Sequence, residues 1–285
     1  MNKYIELMRP KQWIKNFFVF GAIIFSKKFL EIESLTKVIL AFLSFCLISS
    51  AVYIMNDIKD LEQDKVHPKK KHRPIASGKV SIRNAIIEMI LLIIISLSTA
   101  FYLNKFLLII LLIYFINNVI YTFKVKHIVL LDVISIAIGF ILRVIAGGVV
   151  INVELSVWII LCTLFISLFL GFEKRKNELK CLENDATKHR RILDDYSIKF
   201  LDDISNIVCG CTIIFYSLYT FFAYSHKYMM ITNIFVIYGL FRYKYLTEIK
   251  DLGGSPTEAV LTDKGIIIDV ILWGICSSII ILLTK

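Results

Sequence analysis

Helix breakers are scarce in this chain, with four prolines and twelve glycines in 285 residues. Such a composition excludes a loop-rich protein, and no Ser/Gly-rich or low-complexity tract divides the chain into domains. No convincing short-period repeat is present. The six cysteines (Cys46, Cys162, Cys181, Cys209, Cys211, Cys276) form no CxxC pair and lie mostly inside apolar runs. They read as small buried hydrophobes rather than a disulfide framework or a zinc site. The basic, amphipathic start MNKYIELMRPKQWIKN lacks a small-residue cleavage site, so it does not read as a removable signal peptide. Polar residues are also scarce: 57% of the chain is hydrophobic and the mean hydropathy is +0.72, too apolar for a soluble globule of this size.

A bilayer crossing takes roughly 20 apolar residues, and segments of that length in hydrocarbon must be helical to satisfy their own backbone. Nine stretches qualify: 14–30, 36–55, 82–101, 105–123, 128–150, 156–173, 205–225, 228–246 and 265–284, the first cut at its end by Lys27 and Lys28. The expectation is therefore an all-α membrane protein with nine transmembrane helices, folded as one polytopic domain over residues 1–285. A net charge of +10 could suggest nucleic acid, but here its distribution reports topology. With the N-terminus inside, alternate segments carry 26 Lys and Arg on one face and 6 on the other, and Arg143 lies within the fifth span. That asymmetry is the positive-inside pattern of a multi-pass plasma-membrane protein, with both long polar loops on the cytoplasmic face and no nucleic-acid partner.

The chain is organised around residues 49–81, SSAVYIMNDIKDLEQDKVHPKKKHRPIASGKVS. An apolar span ends there in Asn56, Asp57, Asp60 and Asp64, and a basic run follows. On one continuous helix the three aspartates sit at i, i+3 and i+7 and share a face. Like charges at that spacing repel unless a cation lies among them. Hard oxygen ligands favour Mg²⁺, which usually takes its remaining ligands from water and substrate phosphates. Lys69, Lys70, Lys71 and Arg73 offer charge to such phosphates. The pattern predicts a Mg²⁺–diphosphate site at the mouth of a helix bundle; the plain alternative is a solvated loop.

Other polar residues are candidates for gripping anions. Lys15 and Asn16 lie just inside the first apolar run, where a lysine can equally snorkel to the interface. Tyr121 and Lys124 share a face at the end of the fourth span. Asp132 and Arg143 on the fifth lie ~16 Å apart by helix rise, too far to pair, and charges at such depth are functional candidates. Gly139, Gly147 and Gly148 point to close helix packing. Loop 6–7 is rich in cations, among them Lys174, Arg175, Lys176, Arg190 and Arg191. Its acids form no Asp-x-x-x-Asp, so it reads as an anion holder rather than a second metal motif. Loop 8–9 has a turn at Gly253–Pro256 and no assigned role.

The Asn56-Asp57-x-x-Asp60-x-x-x-Asp64 pattern, with His67-Pro68 and Arg73-Pro74-Ile75-Ala76-Ser77-Gly78, resembles the first aspartate-rich signature of the UbiA superfamily of intramembrane prenyltransferases. Supporting stretches are Arg9-Pro10-Lys11-Gln12-Trp13-Ile14-Lys15-Asn16, Lys126-His127 through Asp132, Gly139-Phe140-x-x-Arg143-x-x-Ala146-Gly147-Gly148, Lys174-Arg175, and His189-Arg190 with Tyr196-Ser197. Within the superfamily the chain is most similar to a phosphoribosyl-transferring branch. The absence of a second Asp-x-x-x-Asp from loop 6–7 fits that branch.

The resemblance implies a nine-helix bundle with a cytoplasmic cap from about 56–81 and 174–204. It also implies Mg²⁺-dependent transfer of 5-phosphoribose from phosphoribosyl diphosphate (PRPP) to a polyprenyl phosphate. Asp57, Asp60 and Asp64 are then the metal ligands, with Asn56 orienting a carboxylate. Lys15, Lys69, Arg73, Tyr121, Lys124, Lys174, Arg175, Arg190 and Tyr196 are the candidates for the phosphates. The same metal site would serve an enzyme moving an isoprenyl chain onto an aromatic or glycerol-phosphate acceptor. A transporter is a third reading, disfavoured because no inverted repeat or midplane helix break is evident.

Overall fold

The computed structural model describes residues 2–68, 70–183, 193, 195–224, 226–249 and 256–283, and of 181–183 the backbone alone. Among the described residues every regular element is helical: α1 (Lys3–Met8), α2 (Gly21–Phe25), α3 (Ile32–Lys59), α4 (Leu61–Val66), α5 (Ile82–Leu103), α6 (Lys105–Phe123), α7 (Leu131–Val150), α8 (Val157–Glu183), α9 (Ile198–Phe222), α10 (Asn233–Ile249), α11 (Pro256–Thr262) and α12 (Lys264–Leu283). Seven of these, α3, α5, α6, α7, α8, α9 and α12, contain stretches long and apolar enough to cross a membrane. The other two apolar stretches take a different form. Residues 14–30 fall in a 3₁₀ run Pro10–Phe20, the short α2 and a 3₁₀ turn Lys28–Leu30. Residues 228–246 fall in a 3₁₀ segment Lys227–Thr232 that leads into α10, whose 17 residues include Arg242 and Lys244.

The contacts group into two compact units. The first holds residues 1–124 and 142–153. Its spine is α3, which buries Ser44, Ser49, Ser50 and Ala51 along its length. Small side chains let neighbouring backbone approach, and in lipid such close packing does more than apolar burial to join helices. The 3₁₀ run Pro10–Phe20 lies against α3, tied by Trp13 Nε1 donating to Ser50 Oγ at 3.0 Å. Gly147 is required by the same logic: a Cβ there would lie 1.9 Å from the Val19 carbonyl oxygen. A compact core of Leu7, Ala51, Ile54, Ile75, Val80, Ala85 and Leu92 joins α1, α3, α5 and the segment after α4.

The second unit holds residues 125–141 and 154–285. Here α8 packs along α9, with the Phe165 and Phe215 rings stacked at 5.0 Å. Phe169, Phe172, Leu201, Leu240, Tyr243 and Leu246 fill the core. Asp263 begins α12 by accepting from the Ile266 N–H at 2.9 Å, and it receives two guanidinium bonds from Arg242 at 3.0 and 3.2 Å. Those contacts place the segment before α12 against α10. The five described cysteines are free thiols.

Candidate active site

The aspartate-rich stretch does not form the single helix its spacing predicts. The helix α3 ends at Asp60 (φ −97°, ψ 13°) and α4 restarts at Leu61, with Glu62 and Asp64 in its first turn. Acids are favoured at a helix N-terminus, which is one reason the chain can restart there. Asp57 and Asp64 therefore meet through a cation rather than by sharing one helix face. Arg73 Nη1 lies 3.1 Å from Asp57 Oδ1 and 2.5 Å from Asp64 Oδ2. Both acids are 2% exposed. Arg9 donates to the same Oδ1 of Asp57. The other oxygen, Asp57 Oδ2, is buried without a hydrogen-bond donor among the described residues. A buried carboxylate oxygen in that state has lost its water with no replacement, which marks a place for a further cation.

Local structure explains how the two arginines reach the acids. Arg73 opens a folded-back turn in which Ser77 Oγ donates to the Arg73 carbonyl at 2.8 Å and Val80 N–H to the Pro74 carbonyl at 3.0 Å. Gly78 supplies the φ of +74° the turn needs, and Ile75 and Val80 pin it into the core. Arg9 sits at φ +54° between α1 and the 3₁₀ run, a left-handed conformation that costs about 1 kcal/mol for a residue with a Cβ. That kink lets its side chain turn back over the Tyr53 ring, 5.1 Å from its centroid, and onto Asp57. Arg9 reaches Asp57 without standing out by spacing; its signal in the sequence is the adjacent proline, which favours a helix boundary.

The remaining candidates distribute as follows. Asn56 Oδ1 accepts from the Thr122 hydroxyl at 2.6 Å, which ties α3 to α6. Asp60 lies at the helix break. Tyr121 is half-buried near the end of α6, and Lys124, just after it, is exposed. Lys15 is half-buried in the 3₁₀ run. Lys69 and Arg190 lie outside the described residues. In the second unit Arg175, 2% exposed, donates from Nε to Asp132 Oδ2 and from Nη1 to Glu178, both at 2.6 Å. Tyr196 donates its hydroxyl to Asp132 Oδ1 at 2.9 Å and accepts from the Leu130 N–H at 2.7 Å. Burial first, then the Asp132 carboxylate, pushes the Tyr196 phenol up to about 12, so it stays a donor. Lys174 faces Glu178 at 3.7 Å. Asp132 and Arg143 do not pair: Arg143 donates to Asn16 at 2.7 Å and to Tyr114 at 3.0 Å.

A second acidic cluster was not legible in the sequence. Glu173, Asp202 and Glu248, from α8, α9 and α10, bring carboxylate oxygens within 4.8 Å of one another. The space a metal would take holds the Lys176 ammonium, 3.6 Å from Glu173, 2.8 Å from Asp202 and bonded to Glu248. Ser205 and Thr247 donate to Glu173, Lys180 to Glu248 and Lys244 to Asp202. Every one of the three acids is matched. The Asp57–Asp64 pair, with an open oxygen, is the better fit for a hard divalent cation such as Mg²⁺.

The profile of the UbiA prenyltransferase family matches residues 17–255. The decaprenyl-phosphate phosphoribosyltransferase of Mycolicibacterium smegmatis is 31% identical over 284 residues, covering 94% of this chain and 89% of that protein. The enzyme of the same name from Mycobacterium tuberculosis is 31% identical over 266 residues, covering 91% and 88%. Among solved structures, a UbiA homolog from Archaeoglobus fulgidus bound to GPP and Mg²⁺ shares the fold at a TM-score of 0.74 and 19% identity, covering 99% of this chain and 97% of that one. The multi-pass helical architecture and the aspartate-rich motif thus have a common explanation: this chain belongs to the UbiA prenyltransferase family.

Proposed function

We propose that this protein transfers 5-phosphoribose from PRPP to a polyprenyl phosphate, releasing diphosphate, in a Mg²⁺-dependent reaction. The reading rests on one observation: a buried aspartate pair with an open oxygen, in a chain that aligns over nearly its whole length with relatives named for that transfer. Asp57, Asp60 and Asp64 are the residues that would hold the metal. A Mg²⁺ ion bound there supplies Lewis acidity to the departing diphosphate. Arg73 and Arg9 stand ready to take the leaving group's charge when the acids turn to the metal, and Lys69 extends that supply. Asn56, held by Thr122, orients the acid next to it.

A polyprenyl phosphate is already anionic near neutral pH, so its oxygen can attack C1 without a strong general base. The C1–O bond to diphosphate breaks, and its electron pair leaves with the diphosphate. Lys15, Tyr121, Lys124, Lys174, Arg175, Arg190 and Tyr196 are the pool for the 5-phosphate and the lipid phosphate. Arg175 and Tyr196 act through Asp132, which already engages both.

We read the chain as one membrane domain of nine crossings, the two non-ideal ones being 14–30 and 228–246. The 26-to-6 asymmetry of Lys and Arg supports an active site on the cytoplasmic face of the plasma membrane, capped by about 56–81 and 174–204. PRPP then enters from water and the isoprenoid tail from lipid. The test is purified protein with Mg²⁺, ribose-labelled PRPP and a polyprenyl phosphate, followed by organic extraction. Label in the organic phase, lost on chelation, supports the reading. Label remaining in water, with a labelled prenyl diphosphate instead alkylating an aromatic or glycerol-phosphate acceptor, would replace it with the isoprenyl-transfer alternative.

A further inference from the structure

The proposed reaction needs room for two phosphorylated substrates, and the acid pair accounts for one. Within the first unit a line of cations runs along α3 away from Asp57. Arg9 reaches Asp57 itself. Lys15 follows on the 3₁₀ run and makes no hydrogen bond or ion pair among the described residues. Its chain neighbour Asn16 accepts from the Arg143 guanidinium at 2.7 Å, so a second cation lies beside this turn of the run. Arg143, 5% exposed, is oriented by two neutral groups, Asn16 and Tyr114, and lies over the Tyr114 and Phe45 rings at 4.7 and 5.5 Å. Asn16 is fixed in turn by Cys46 and Ser49, each at 3.3 Å. Ser49 precedes Asp57 on α3 by a helix rise of ~12 Å.

A half-buried lysine beside a buried guanidinium is repelled by it, and with no counter-ion for the lysine among the described residues that repulsion is unrelieved. An anion from outside the chain relieves it. In an in-line displacement the incoming and leaving oxygens lie on opposite sides of the carbon, so the acceptor phosphate needs cations of its own, apart from the metal-binding acids. We propose that Lys15 and Arg143, with Asn16 and Tyr114 orienting the guanidinium, form the pocket for the phosphomonoester of the lipid acceptor. The assignment of the lipid as occupant rests on the transfer reading; the anion pocket itself rests on the geometry of the first unit.

Binding, not turnover, tests it. A medium-chain polyprenyl phosphate, the matching uncharged polyprenol and inorganic phosphate are titrated against the full-length protein, with Mg²⁺–PRPP affinity measured separately. The wild type should bind the phosphate lipid about tenfold more tightly than the alcohol. Lys15→Met should erase that preference and leave PRPP affinity within about twofold, Lys15→Arg should restore it, and Arg143→Gln should weaken the phosphate lipid likewise. Equal binding of alcohol and phosphate by the wild type would overturn the proposal even if a variant failed to fold. Unchanged lipid binding in Lys15→Met would return Lys15 to snorkelling, and a parallel loss of PRPP would move it to the donor. Inorganic phosphate binding through Lys15 without the lipid would make the occupant a free anion. A wild type that bound the phosphate lipid through Lys15 yet turned over no PRPP would fail the transfer reading and leave the pocket standing.

Discussion

Each compact unit gathers a cluster of acids among cations, and the two clusters are finished to different degrees. In the second unit Glu173, Asp202 and Glu248 surround Lys176, with Lys180, Lys244, Ser205 and Thr247 completing the shell. Three acids meet three ammonium groups, and that cluster is closed. In the first unit Asp57 and Asp64 share Arg73, and Asp57 also takes Arg9, but among the described residues Asp57 Oδ2 has no donor and Lys15 no acid. Charge there is arranged but not matched. A closed cluster holds helices together; an open one has work left for a ligand. The presence of three nearby carboxylates is therefore a weaker sign of a metal than one buried oxygen left over.

The largest expected effect separates the clusters by activity. Asp57→Ala should lower phosphoribosyl transfer by about a thousandfold or more while the protein elutes and melts as a folded species. Lys37→Ala, in an exposed helical pair, should change the rate less than twofold. Appreciable turnover by Asp57→Ala would remove the first-unit cluster from the chemistry.

The next separates them by stability. Lys176→Met leaves the second-unit acids without their central cation, at a cost of about 3 kcal/mol, the low end for a broken buried pair because Asp202 and Glu248 are partly exposed. Thermal melts should show the loss, and added Mn²⁺ should recover part of it in this variant by occupying the vacated space. A variant as stable as the wild type would mean that the cluster is not closed by Lys176.

Metal binding sharpens the contrast. Titration of chelator-treated wild type with Mn²⁺, read by its electron paramagnetic resonance, should report binding that Asp64→Asn weakens about tenfold and Asp202→Asn leaves unchanged. The reverse pattern would exchange the roles of the two units.

The smallest effect belongs to Tyr196. Tyr196→Phe removes the hydroxyl that bridges Asp132 and Leu130 and should cost about 1 kcal/mol in a melt at neutral pH. The phenol's pKa is raised from 10.0 to about 12 in the folded protein. Its stabilisation is thus complete below pH 10 and fades as the pH rises towards 12. The wild type should accordingly lose its advantage over Tyr196→Phe across that interval; a difference constant through it would rule out the bridge.

Much of this was legible in sequence because lipid imposes a simple rule. An apolar run of sufficient length must be a helix, so each of the seven long helices overlaps a stretch read from hydropathy. The exceptions have local causes. Pro10 and the packing of residues 10–20 on α3 give a 3₁₀ run where a span was expected, and α10 is interrupted in its apolarity by Arg242 and Lys244. Asp57, Asp60 and Asp64 stand out by spacing, but the continuous helix that spacing implies breaks at Asp60. Arg175 reads as a free cation on paper; its commitment to Asp132 spans 43 residues and becomes visible only in the fold.

The order of residues by itself determined the helical, multi-pass architecture and the place where acids and cations gather, since each depends on composition over one local stretch. Only the tertiary structure decided which charges cancel. Glu173, Asp202 and Glu248 come from three helices and close on one lysine, whereas among the described residues Asp57 keeps an oxygen open and Lys15 meets no carboxylate. Electrostatic pairing acts over a few ångströms in space, and separation along the chain does not measure that distance.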